Sequence, residues 1–177
     1  MKIQNSKLKI KNSKEGFTLF ETIVALSVLI FAVTGPLTLA AYAIHSATYA
    51  QNQITAFYLA QEALEYIKNW RDKNALNGAS EWLDGLGSCR GGKGCVVDIP
   101  NDKVKNCPGN DPCPKIKYDS VTGFYNYETG SETPFIREVK LRDIVSGREA
   151  KVEVIVSWQE KFGSRLFTIE ENIFNWP

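Results

Sequence analysis

Three patterns of apolar and polar positions divide the chain. From Thr22 to Ile44 run 23 consecutive residues without a formal charge, rich in Ile, Leu, Val, Ala and Phe. Such a run is long enough to cross a hydrocarbon core as a helix. From Ala47 to about Arg71 the pattern changes. Ile54, Phe57, Leu64, Ile67 and Trp70 recur at spacings near three and four, with Gln53, Gln61, Glu65 and Lys68 supplying polar positions, which predicts an amphipathic helix. The third pattern has period two. In Lys151–Trp158 the side chains of Val152, Val154, Val156 and Trp158 share one face, and Lys151, Glu153 and Ser157 share the other, as in a half-buried strand.

Joined end to end, the first two patterns predict an interrupted helical rod from Phe17 to Trp70, 54 residues or about 80 Å long. Gly35-Pro36 interrupts it. Proline removes one intrahelical hydrogen bond and crowds the preceding turn, so a kink or a locally unwound stretch is expected there. Residues 72–134 are punctuated by turn signals such as Asn77-Gly78, Asp84-Gly85, Gly91-Gly92 and Pro108-Gly109, with short strands expected at Val96–Ile99, Lys115–Tyr118 and Phe124–Tyr127. Phe135–Ile144 and Ser164–Ile173 are the predicted neighbours of the 151–158 strand. The segment Glu160–Ser164 supplies a turn that favours antiparallel pairing. The fold class is therefore α+β: a long N-terminal hydrophobic helix packed on a small C-terminal antiparallel sheet of three or four strands.

Charge changes the picture at the N-terminus. Lys2, Lys7, Lys9, Lys11 and Lys14 precede the apolar run against Glu15 alone. Lysine retention on the cytoplasmic side would keep the N-terminus inside and carry the C-terminal body outside, as a single pass through the cytoplasmic (inner) membrane. Glu21 is the anomaly, because a carboxylate at the mouth of an apolar run is costly away from an interface or a partner.

The junction Lys14-Glu15-Gly16-Phe17-Thr18-Leu19-Phe20-Glu21, with its basic leader and apolar helix, resembles the class III signal of type IV prepilins and pseudopilins. That resemblance covers roughly residues 14–45 closely. Gly123-Phe124-Tyr125-Asn126-Tyr127, Thr133-Pro134-Phe135 and the Trp-containing strand pair near the C-terminus look like minor pilins of the modification or assembly type. The resemblance implies cleavage of the Gly16–Phe17 bond, N-methylation of Phe17 and an assembly role for Glu21. It also implies a helix-loosening role for Pro36 within a filament. The implied partners are a prepilin peptidase/methyltransferase, other pilin or pseudopilin subunits and an inner-membrane assembly platform, with display in a cell-surface filament after assembly. The implied divisions are a leader at 1–16, a transmembrane or filament-core helix at 17–45, its amphipathic continuation at 46–71 and an exported domain at 72–177. A pseudopilin of a type II secretion or DNA-uptake system, and an anchored extracellular ligand-recognition domain without filament assembly, are the alternatives. A conventional signal peptidase site after the apolar run, or an uncleaved anchor, would account for the run alone; Gly16 and Glu21 favour the prepilin pattern over both.

Loss of the leader would remove five Lys and one Glu from the chain's 21 basic and 20 acidic residues, leaving 16 and 19 and a net charge of −3. No basic field then remains to argue for nucleic-acid binding. Cys89, Cys95, Cys107 and Cys113 form two pairs that each enclose five residues. In an exported domain an even count favours two disulfides. Three connectivities are open, of which 89–95 with 107–113 closes two short, turn-rich loops. A four-cysteine zinc site is the alternative, although its usual gaps are two to four residues.

Catalytic chemistry has little material. His45 is the one histidine and Ser46 adjoins it, but neighbouring helical residues diverge in direction and do not form a nucleophile–base pair by position. Asp98, Asp102, Asp111 and Asp119 match no calcium-loop grammar and read as solvated turn residues. The glycines between 85 and 94 lack the phosphate-loop pattern. The expectation is a structural subunit, not an enzyme, with no cofactor and no metal.

Overall fold

The computed structural model describes residues 16–90, 92, 94–109, 112–161 and 163–175. The lysines of the leader, Glu15 and Asp111 lie outside the described residues. Helix α1 (Leu19–Leu76) is followed by a short α2 (Gly87–Arg90) and seven strands. These are β1 (Cys95–Asp98), β2 (Lys103–Asn106), β3 (Lys115–Tyr118), β4 (Tyr125–Asn126), β5 (Ser131–Val145), β6 (Glu149–Glu160) and β7 (Gly163–Phe174). The architecture is the expected α+β one, a long N-terminal hydrophobic helix packed on a small, curved antiparallel sheet. It is compatible with the pilin family. The chain divides into two compact units between Thr48 and Tyr49.

Among the described residues of the first unit almost every side chain is exposed. Phe20, Phe31 and Tyr42 each keep about three-quarters of their surface open. The four Ser and Thr hydroxyls of the uncharged run turn back onto their own helix. Those of Thr22, Ser27, Thr34 and Thr38 donate to the carbonyls of Leu19, Val24, Ile30 and Gly35 at 2.7–2.8 Å. Such self-bonding lets these four side chains sit in an apolar surrounding without water. The unwound stretch expected at Gly35-Pro36 is absent, since α1 stays helical through both residues. Proline's fixed φ is helix-compatible, so the missing N–H costs one bond without forcing the chain out of the helix.

In the second unit α1 buries a seam of Ala56, Leu59, Ala60, Ala63, Leu64, Tyr66 and Ile67. The sequence pattern placed Ile54 and Phe57 on that seam; the structure leaves them exposed at 58% and 44%. Alanines, which carry little weight in a periodicity argument, form the true contact line because small side chains let a helix backbone approach a sheet closely. The helix also outruns its expected end near Arg71. It closes beyond Leu76 with Ala79 N–H bonded to Asn74 O at 3.0 Å, Gly78 N–H to Ala75 O at 3.3 Å and Gly78 at φ 64°, a Schellman stop.

Opposite the helix, β5, β6 and β7 form a meander in near-continuous register, from Phe135↔Trp158 to Leu141↔Val152 and from Glu160↔Gly163 to Glu149↔Phe174. Its inner face carries Phe135, Val139, Leu141, Val152, Val154, Val156 and Trp158, all buried. The far edge of β5 pairs β3 and β1, which in turn pair β4 and β2. The sheet thus has seven strands instead of three or four. The unforeseen β2 reads Lys-Val-Lys-Asn and is mostly exposed. An edge strand guarded by lysines has no apolar face to announce it.

Candidate functional site

The N-terminal junction is built by a helix start. Residues 16–18 precede the helix and are exposed. Thr18 occupies the cap position, and its Oγ1 accepts the Glu21 N–H at 3.2 Å. Thr-Leu-Phe-Glu is thus the spacing of a capping box, with a carboxylate in the first turn, where the helix dipole favours it. The Thr-x-x-Glu spacing was legible in the sequence, and it gives Glu21 a local role besides any partner. Among the described residues a Cβ at Gly16 would meet nothing within 4 Å. The chain's own packing therefore makes no demand for glycine there.

Pro36 lies within the helix, and His45 and Ser46 follow as successive helical residues. The four cysteines are joined as Cys89–Cys95 and Cys107–Cys113, with Cα separations of 4.6 and 4.8 Å. These disulfides take up all four thiols, and the zinc alternative has no ligands left. The two bridges differ in setting. Cys89 and Cys95 have no exposed surface and belong to the main core, whereas Cys107 and Cys113 pack with Val96 in a smaller cluster. The first bridge is thus more than a loop pin.

Of the candidate aspartates, Asp98, Asp102 and Asp119 are described, and each has partners of its own. Among the described residues no three His, Cys, Asp or Glu side chains form a metal-binding group. Asp98 corrects the solvated-turn reading. It is 2% exposed, accepting from Asn101 Nδ2 at 3.0 Å and from the Tyr127 N–H at 3.2 Å. Asp102 accepts the Tyr66 hydroxyl at 3.0 Å; burial, and then this carboxylate, push the phenol's pKa up. Asp119 fits the turn reading. Its carboxylate accepts the Val121 N–H at 2.9 Å and the Thr129 hydroxyl at 3.1 Å, and the backbone bond chiefly holds its pKa down.

Sequence reasoning missed Arg137. On β5 it takes an inward position between Phe135 and Val139 and is fully buried. Nη1 donates to Leu59 O at 3.0 Å and to Glu62 Oε2 at 2.9 Å, and Nη2 donates to Val97 O at 2.7 Å. One guanidinium therefore ties α1 to both β5 and β1. Its Nε and the nearby buried Tyr127 hydroxyl make no hydrogen bond of acceptable geometry. Burial raises the Tyr127 pKa, with the Arg137 charge acting in the opposite direction. The available signal was a charge at an inward position of an otherwise alternating strand.

Trp70 and Asn74 were equally silent in their role. Trp70 Nε1 donates to Asp84 O at 2.7 Å, while Asn74 Nδ2 donates to Trp82 O at 3.1 Å and to Asp84 O at 2.9 Å. Gly85 is required beside them: at φ 82°, an added Cβ would lie 2.8 Å from the Trp70 ring. Together these residues dock the loop after α1 onto the helix end. Comparison with protein-family models, with curated proteins and with solved structures finds no match.

Proposed function

We propose that this chain is the precursor of a type IV pilin-like subunit, held in the cytoplasmic membrane by α1, cleaved between Gly16 and Phe17 and assembled through its N-terminal helix. The observation that carries this reading is the exposure of the whole apolar segment from Leu19 to Ile44 beside an open Gly16–Phe17 bond. Leaving a large apolar side chain in water instead of burying it costs about 1.5–3 kcal/mol. The segment therefore calls for lipid, neighbouring helices, or first one and then the other. Since this fold makes no use of glycine at position 16, the small residue there is best explained by an outside agent, a peptidase that reads it.

Glu21 is the assembly residue in this reading. Drawn into an apolar bundle, its carboxylate is stabilised by the new amino group of Phe17 on a neighbouring subunit, which sets axial register. The partners are the peptidase/methyltransferase, further pilin-like subunits and the assembly platform. The role is structural and not catalytic.

Mass analysis of the mature N-terminus, combined with three variants, tests the reading. The expected mature chain begins at N-methylated Phe17. Glu21→Gln keeps an amide capable of serving the capping box but removes the charge, so it should insert normally and lose filament incorporation as fully as Glu21→Ala. Thr18→Ala removes the cap alone and should assemble at near wild-type levels. Retention of residues 1–16 would overturn the processing claim. Equal filament abundance of Glu21→Gln and wild type in competition would overturn the charge pairing and leave Glu21 a capping residue.

A further inference from the structure

A groove of about 540 Å³ runs between the α1 turns from Thr55 to Glu65 and the loop that leads into β4. Its rings are those of Tyr58, Phe124 and Tyr125, and its carboxylates are Glu62 and Glu65. Neither lysine nor arginine lines it. Tyr58 is 63% exposed and Phe124 58%, a large apolar display for a chain segment outside the membrane run.

The backbone that carries Phe124 is held in position. Its carbonyl accepts the Asp119 N–H at 3.1 Å, and Gly123 N–H donates to Asp119 O at 2.8 Å. The Asp119 carboxylate pins the same loop from within through Val121 and Thr129. The Tyr125 ring packs on Tyr118 with centroids 5.1 Å apart. Both walls are thus set before any ligand arrives, which lowers the ordering cost of binding.

The charges around the groove do not cancel. Arg137 neutralises Glu62 from below. Lys68 stands 3.4 Å from Glu65 but only 2.7 Å from Glu171, which competes for it. Three carboxylates against two cations leave one negative charge, with Glu65 the carboxylate at the open side, its side chain 54% exposed. Aromatic faces attract cations through the ring quadrupole. A planar guanidinium stacks on such faces while bonding a carboxylate, which a compact, strongly hydrated ammonium does less well.

We propose that this groove is a docking site for an arginine side chain of a partner protein, its guanidinium against the exposed rings and hydrogen-bonded to Glu65, with an adjoining apolar residue on Tyr58. The site lies wholly within the second unit and does not depend on filament assembly. It would serve a filament subunit or an anchored domain alike.

The test uses the full chain in non-ionic detergent, titrated calorimetrically with end-capped Gly-X-Leu-Gly peptides in which X is Arg, Lys, Gln or Glu. The Arg peptide should bind about tenfold more tightly than the Gln peptide, the sum of ring and carboxylate contributions, with Lys between them. Phe124→Ala should weaken the Arg peptide roughly two- to fivefold, and Glu65→Gln should cut the preference for Arg over Gln from about tenfold to roughly two- to fivefold. Both side chains are exposed, so both variants should keep the wild-type thermal midpoint and their losses report on the groove. Equal affinity for Arg and Gln peptides, an Arg affinity that neither variant changes, or a preference for Glu would each overturn the proposal.

Discussion

The two stretches of α1 on either side of Thr48 share one continuous helix but bury their residues in opposite ways. Before that point Val24, Leu26, Phe31 and Leu39 are exposed and none of the side chains is buried. After it Ala56, Ala60, Ala63 and Ile67 have no exposed surface, while the larger Ile54 and Phe57 face outward. Hydrophobicity alone does not separate them, since Leu59, Leu64 and Ile67 are buried beside the alanines while Ile54 and Phe57 are not. A helix that meets lipid gains nothing from small residues, because lipid conforms to any outline. One that meets a preformed sheet must present a flat line, and alanine makes one.

The strongest way to break this comparison is at Arg137. Removing it leaves Glu62 and the Leu59 and Val97 carbonyls without their buried donor. Arg137→Ala is expected to cost about 3–5 kcal/mol, and Arg137→Met distinctly less, since an apolar replacement of similar volume fills the space. Denaturant unfolding of the second unit in the detergent-solubilised chain measures both. Membrane-fraction abundance should stay unchanged if the first stretch acts by itself.

The disulfides sharpen the contrast within the second unit. Each joins residues six apart, for which the chain-entropy model gives about 2–3 kcal/mol. Equal loops would predict equal losses. The fully buried setting of Cys89 and Cys95 makes the Cys89→Ser/Cys95→Ser pair the more damaging, because two hydroxyls replace sulfur in the core. Hydrogen exchange should show Cys107→Ser/Cys113→Ser loosening residues 106–115 with β5–β7 still protected.

Smaller effects test side-chain size directly. Ala60→Leu should destabilise the second unit by about 1–3 kcal/mol through overpacking. Leu26→Ala, which removes bulk from an exposed position, should leave the same unfolding curve within about 0.5 kcal/mol. Comparable losses for the two would mean that the first stretch contributes to the stability of the second unit.

Much of the fold was legible because one period governs each element. The alternation of Val152, Val154, Val156 and Trp158 required a strand with one buried face, and β6 buries those four. The uncharged run demanded a helix with no polar face, and its Ser and Thr hydroxyls satisfy themselves on their own carbonyls. The Gly16-Phe17 motif proposed for cleavage, Thr18 and Glu21 are local in sequence, so their spacing is visible without the fold. What could not be read depends on meetings between distant segments. Arg137 reaches back 78 residues to Leu59, Asp98 reaches forward to Tyr127, and no local pattern records either need. The alanine seam and the lysine-guarded β2 were silent for a related reason: small and charged residues carry no apolar periodicity until a partner surface selects them. Sequence alone therefore determined where the chain is apolar, where it turns and where a helix begins. Tertiary structure decided which polar groups are buried, because a buried charge persists only where remote backbone and side-chain atoms converge to satisfy it.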